Sequence, residues 1–203
     1  METSKTLAVD TLARVLMPKK GEPHDVRMLY LIEQEHNKQR LRWSDRTSFE
    51  IPAGNEVSFE TYFNAFPASY WRRWSQLDSV VLAMEVEGRA TISVYRSKHD
   101  GTRISVTNVE ASGYTEIPLK LGNFEDGGWL WFDVTAEDDT RIVDAAWCSP
   151  QEPKEQVLAD GTVVEPQPKQ VAVGIPTFNR PRDAVNALHA LAEDPYVEAS
   201  ISN

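Results

Sequence analysis

The chain is poor in several features that would each announce a class of protein. Among its 203 residues there is one cysteine, Cys148, so no internal disulfide forms, which suits a reducing compartment. Cys148 sits beside Trp147 in an apolar run with no histidine spaced to activate it, the setting of a buried, inert thiol. No uninterrupted apolar run reaches membrane-spanning length. The opening stretch "METSKTLAVDTLARVLMPKK" contains Asp10 and Arg14 and is neither a secretory signal nor a span. Basic residues are also few, 21 against 31 acidic, for a formal charge of −10. Such a surface repels phosphate backbones, which argues against a nucleic-acid partner. The densest basic cluster, Lys38, Arg40, Arg42 and Arg46, reads as a solvated face. The histidines, His24, His36, His99 and His189, lack the spacing of metal ligands. No Asp-x-Asp occurs anywhere, and Glu137-Asp138-Asp139 reads as a solvated turn rather than a metal site.

What is present is a 41% hydrophobic composition, sufficient for a sizeable core. Leu12, Val15 and Leu16 fall on one face of a short leading helix stopped by Pro18. From about residue 26 to 148 the chain breaks into short runs, among them "VRMLYLI", "ATISVYR", "TEIPLKL" and "GGWLWFDV", separated by turn residues. Many short strands with few helical periods predict an antiparallel β-sandwich or jelly roll over residues 1 to 148. Alternation sets the faces: Ala90, Ile92 and Val94 against Thr91, Ser93 and Tyr95; Ile117, Leu119 and Leu121 together, with Pro118 marking an edge strand or bulge. Residues 149 to 170 hold four of the twelve prolines and predict a linker, with a hairpin about Asp160-Gly161. Beyond it "VAVGI" reads as a strand buried on both faces, and Pro181, Asp183, Val185, Leu188 and Leu191 as an amphipathic helix. One strand and one helix cannot cover a parallel sheet, so residues 171 to 203 are either the stub of a truncated α/β domain or an appendage packed on the sandwich. The stub is the expectation.

Two groups of residues suggest sites. In "GGWLWFD", Trp129 and Trp131 share one strand face while Leu130 and Phe132 share the other, so the pair is either a sugar-stacking platform or an interface with a neighbouring domain or subunit. Tyr70, Trp71 and Trp74 pose the same choice, and the i, i+3 spacing of the tryptophans favours a buried helical turn. Pro176, Thr177, Phe178, Asn179 and Arg180 stand between a strand and a helix N-terminus, where open α/β sheets collect anionic ligands. The plainer alternative is a turn in which Asn179 satisfies backbone groups.

"VAVGIPTFNRP" resembles the opening of an inverting, nucleotide-sugar-dependent glycosyltransferase with the doubly wound GT-A fold. Upstream, "GEPHDVRMLYL", "EVSFETYFNAFPASYWRRW" and "FEDGGWLWFD" resemble the N-terminal β-sandwich of the galactofuranosyltransferases that polymerise the cell-wall galactan of mycolic-acid bacteria. The resemblance implies a modular, cytoplasmic or membrane-peripheral enzyme that passes galactofuranose from UDP-galactofuranose to lipid-linked galactan. It further implies a homo-oligomer when complete, and Mn²⁺ or Mg²⁺ to offset the diphosphate charge while a carboxylate base activates the acceptor. Residues 176 to 180 match the family loop that lies against the UDP-sugar. The metal-binding Asp-x-Asp and the base have no counterparts here. The chain itself is therefore expected to bind no metal and to act as a scaffold; a stand-alone carbohydrate-binding sandwich is the alternative.

Overall fold

A computed structural model describes residues 11–43, 45–122, 128–150, 156–157, 163–164 and 179–193. The chain divides into two compact units, Met1–Pro153 and Lys154–Asn203. The first contains strands β1 (Thr11–Arg14), β2 (Ile32–Glu33), β3 (Arg42–Trp43), β4 (Phe49–Ile51), β5 (Glu56–Ser58), β6 (Ser79–Ser97), β7 (Arg103–Lys120), β8 (Leu130–Ala136) and β9 (Thr140–Cys148), with helices α1 (His24–Arg27) and α2 (Ala68–Trp74). The second contains β10 (Gln156–Val157), β11 (Val163–Val164) and α3 (Pro181–Ala192). β10 and β11 pair antiparallel, and the turn expected at Asp160-Gly161 lies outside the described residues.

The nine described strands of the first unit belong to one antiparallel sheet ordered β2-β5-β8-β6-β9-β4-β3, with β1 added to β9 and β7 to β6. β6 joins its two halves. Val81–Glu87 pair with β9 and Ala90–Arg96 with β8, while β7 follows β6 along both stretches. The ladder breaks between Val86 and Ala90, around Gly88 at φ +93°. A Cβ at that position would lie 2.8 Å from both Asp138 Oδ1 and Asp139 O, so only glycine fits the corner. Val80, Leu82, Met84 and Val86 before the bend, and Ala90, Ile92 and Val94 after it, all enter one core. The sheet thereby curls on itself: Phe132 of β8 meets Trp147 of β9 edge-on at 6.0 Å between ring centroids. The predicted mainly β, antiparallel architecture is present as two halves of one curled sheet rather than two separate sheets.

The alternation of "ATISVYR" and "TEIPLKL" holds, with Ala90, Ile92, Val94, Ile117, Leu119 and Leu121 buried. Pro118 lies on β7, which pairs only with β6 among the described strands. Three expectations fail. Over Thr11–Arg14 the leading helix is a strand, because β9 offers an open edge; Val15 N–H continues the docking by donating to Ala145 O at 2.9 Å. "VRMLYLI" is a short helix and turns, with Arg27 N–H bonding Pro23 O, and pairs as a strand only at Ile32. On α2, Trp71 packs against the core, but Trp74, the last residue of the helix before Ser75 turns extended, is 70% exposed.

Candidate functional site

β8 presents two chemically different faces. Leu130, Phe132 and Val134 enter the core, and alternation turns Trp131, Asp133 and Thr135 to the other side. There Trp131 stands opposite Tyr95 of β6, the rings stacked at 6.0 Å, while Asp133 is flanked by Ser93 of β6 and Ser58 of β5. Arg103, at the start of β7, lays its guanidinium 3.5 Å from the Tyr95 ring centroid and 5.8 Å from that of Trp131. The same guanidinium forms a close ion pair with Asp133 and a longer one, 3.9 Å, with Glu60. Asp133 is only 2% exposed, and a carboxylate so buried is stable when such a partner offsets its desolvation.

Beside this cluster lies a cleft of 440 Å³ lined by Glu60, Tyr62, Lys98, His99, Trp129 and Trp131, with small residues between them. Trp131 is 2% exposed, whereas Trp129 and Tyr62 are 42% and 80% exposed, so one indole is buried and two aromatic side chains remain available above it. Backbone bonds hold the walls. Phe66 and Leu130 exchange two hydrogen bonds at 2.7 and 2.9 Å, pinning the 60–66 loop to β8. Ser97 N–H donates to Trp129 O, and Trp129 N–H donates to Ser97 Oγ, both at 3.0 Å. The β6–β7 turn is closed by Lys98 and Thr102, with Gly101 at φ +81°. Burial pushes the Glu60 carboxyl above its usual range, with Arg103 opposing and Asp133 adding to the rise. For Arg103 burial works against the charge, but the Tyr95 phenol and Asp133 outweigh it and raise its pKa.

Of the residues singled out in the sequence, Trp129 and Trp131 meet in this cleft, although Trp129 precedes β8 rather than belonging to it. Pro176, Thr177 and Phe178 lie outside the described residues. In the second unit Asn179 adopts φ +56°, a conformation Asn tolerates, and Arg180 occupies the N-cap of α3 without a side-chain capping bond. Arg180 is exposed and lies 3.8 Å from Asp183 in the first turn. Val185 and Leu188 of α3 are exposed. Sequence reasoning missed Tyr95, Arg103, Asp133 and Glu60. The signal was the outward row of β8, in which an acid follows the tryptophans at spacing two, but its partner is thirty positions away on β7.

Two members of the basic cluster carry acid partners: Arg46 pairs with Glu22 at 2.7 Å and Arg42 with Glu50 at 3.4 Å. Asp138 holds the Gly88 corner by accepting from Arg89 N–H at 2.7 Å, and Asp139 accepts from Ala53 N–H at 3.0 Å. These carboxylates have structural partners. Cys148 is buried, and desolvation raises its pKa. Among the described residues no group of three His, Cys, Asp or Glu could hold a metal ion, and no helix is long and apolar enough to cross a membrane.

Residues 12–150 match the family model described as Galactofuranosyltransferase 2 N-terminal. The chain belongs to this family. Over 208 aligned residues it is 49% identical to galactofuranosyltransferase GlfT2 of Mycolicibacterium smegmatis, which takes in all of this chain and 30% of that protein. Against GlfT2 of Mycobacterium tuberculosis the identity is 45% over 96% of the chain and again 30% of the relative. The chain thus spans less than a third of the curated relatives it matches. Solved structures with similarity include a family 29 carbohydrate-binding module, at TM-score 0.37 and 12% identity over 70% of this chain and 93% of that one. A likeness at that level carries no argument, and the galactofuranosyltransferase family assignment rests on the sequence matches.

Proposed function

We propose that the chain is the N-terminal portion of a galactofuranosyltransferase that moves galactofuranose from UDP-galactofuranose to growing, lipid-linked cell-wall galactan in the cytoplasm. The carrying observation is the 49% identity that runs through the β unit and on across residues 171 to 203. In this reading the curled sheet is a scaffold that supports the catalytic part of a homo-oligomeric enzyme. Residues 171 to 203 open the GT-A domain, and Pro176, Thr177, Phe178, Asn179 and Arg180 meet the UDP-sugar. The exposed Arg180 at a helix N-terminus supports that role, since N–H groups and a guanidinium together favour a diphosphate. The divalent metal of the complete enzyme has no fitting ligand set among the described residues, so no step through it is assigned to this chain.

A chimera tests the proposal. Residues 1 to 203 replace the matching region of the M. smegmatis relative, and galactofuranose transfer is measured beside the unmodified enzyme. Activity within a few-fold of the parent is expected, and a folded but inactive chimera defeats the reading. In that chimera Arg180→Ala should weaken use of UDP-galactofuranose by about 1.5–3 kcal/mol, the range for a charge-assisted bond. Lysine there retains the charge but loses the fork geometry.

A further inference from the structure

The face built from β6, β7 and β8 carries more than a scaffold needs. Trp131 Nε1 and Asp133 Oδ1 are buried without a hydrogen-bond partner, one a donor and the other an acceptor, on the same outward row of β8. Buried polar atoms in native proteins are almost always satisfied, so a donor and an acceptor left without partners on one strand face call for something that can supply both. Trp131 is also the inner wall of the cleft that Trp129 and Tyr62 flank. Trp129 is held half-exposed there, its backbone tied to Ser97 by two hydrogen bonds.

We infer that this cleft is a saccharide-binding subsite, taking a neutral oligosaccharide whose sugar faces stack on Trp129 and Tyr62 and whose hydroxyls meet Glu60 in its wall and the Arg103 guanidinium that pairs with Glu60 beside it. The class of ligand follows from three features. Aromatic side chains at a cleft offer flat apolar faces that match the C–H face of a sugar ring. A hydroxyl both donates and accepts, so one kind of group satisfies an indole N–H and a carboxylate oxygen alike. The charges balance: Glu60 and Lys98 both line the cleft, and beside it Arg103 is paired with Glu60 and Asp133, so neither an anion nor a cation is favoured and a neutral polyol opposes neither sign. Arg103 is partly exposed, lies over the Tyr95 ring and pairs with both carboxylates, so a hydroxyl that approaches Glu60 also meets the guanidinium without breaking the buried pair with Asp133. The saccharide class rests on this face alone. That the saccharide is galactan, held away from the transfer chemistry, rests on the galactofuranosyltransferase reading.

The experiment titrates the 203-residue chain with a linear galactofuranose tetrasaccharide and, in separate arms, with cellotetraose and mannotetraose, followed by tryptophan fluorescence and calorimetry. Saturable binding of at least one is expected. It should weaken about tenfold or more in Trp129→Ala and in Glu60→Gln, and stay unchanged in Trp74→Ala at the C-terminal end of α2, an exposed tryptophan that does not line the cleft. Both informative substitutions are at exposed or half-exposed side chains, and an unchanged urea midpoint establishes that each variant is folded. Binding of a glucose or mannose oligomer but not of galactofuranose, with the same Trp129 dependence, upholds the subsite and defeats the galactan assignment. No saturable binding of any of the three at millimolar concentration, or binding indifferent to both Trp129→Ala and Glu60→Gln, overturns the inference.

Discussion

Gly88→Ala should damage the first unit more than any other single methyl group added on the sheet surface. The corner needs φ +93°, and a left-handed conformation costs an L-residue about 1–2 kcal/mol. The new Cβ would also stand 2.8 Å from the Asp139 carbonyl oxygen and from Asp138 Oδ1. Backbone cannot retreat cheaply, and moving Asp138 sacrifices its bonds to Arg89 N–H at 2.7 Å and Arg89 Nε at 3.1 Å. Relieving an overlap of that kind costs about 1–3 kcal/mol, which brings the expected total with the conformational cost to about 3 kcal/mol. For a unit of this size that lowers the melting temperature by about 6–12 °C. Gly113→Ala is the internal control: its φ is +73°, but nothing lies within 4 Å of a Cβ there, so only the conformational cost applies. Urea unfolding of the three proteins, followed by tryptophan fluorescence, gives both differences. If Gly88→Ala is no worse than Gly113→Ala, the close approach at the corner does not hold the bend and the explanation for the curled sheet is wrong.

Asn64→Ala should cost about 3 kcal/mol in the same assay, because the buried side chain bonds Leu16 N–H, Leu16 O and Tyr30 O, and buried backbone groups left unpaired cost about 1–3 kcal/mol each, incompletely additive. Acid should weaken the fold. The Asp45 carboxyl is held below its ordinary value of 3.8 chiefly by the Thr47 backbone N–H, and Asp100 and Asp138 are held low in the same way by Thr102 and Arg89 N–H groups. A lowered folded pKa means stability that is present above the unfolded value and lost as pH falls through the folded one, so the urea midpoint should drop progressively below about pH 4, and less so in Asp45→Asn. Cys148, buried with its thiol pKa raised, should resist a thiol reagent in the native protein and react at once on unfolding; rapid native labelling would contradict the burial.

Where strand partners are local or periodic, the sequence alone was sufficient. "ATISVYR" and "TEIPLKL" declare their faces by alternation, Pro118 declares an edge, and "GGWLWFD" separates core from outward residues before any partner is known. The family resemblance was legible for a similar reason, since it rests on ordered short motifs. What remained hidden depends on who stands next to whom. Thr11–Arg14 looks helical until β9 presents an unfilled edge, because hydrogen-bonded pairing with a strand far along the chain outweighs a weak 3.6-residue period. "VRMLYLI" is apolar enough for a strand, yet it turns where Phe63 N–H bonds Leu29 O. The candidate site divides in the same way. Trp129 and Trp131 were visible as a pattern, whereas Arg103, Tyr95, Asp133 and Glu60 become one cluster only because β7 and β8 pair on either side of the second half of β6. Ion pairs and ring stacking across strands act over a few ångströms in space and leave no periodic trace in the chain; their arrangement was decided by the tertiary structure.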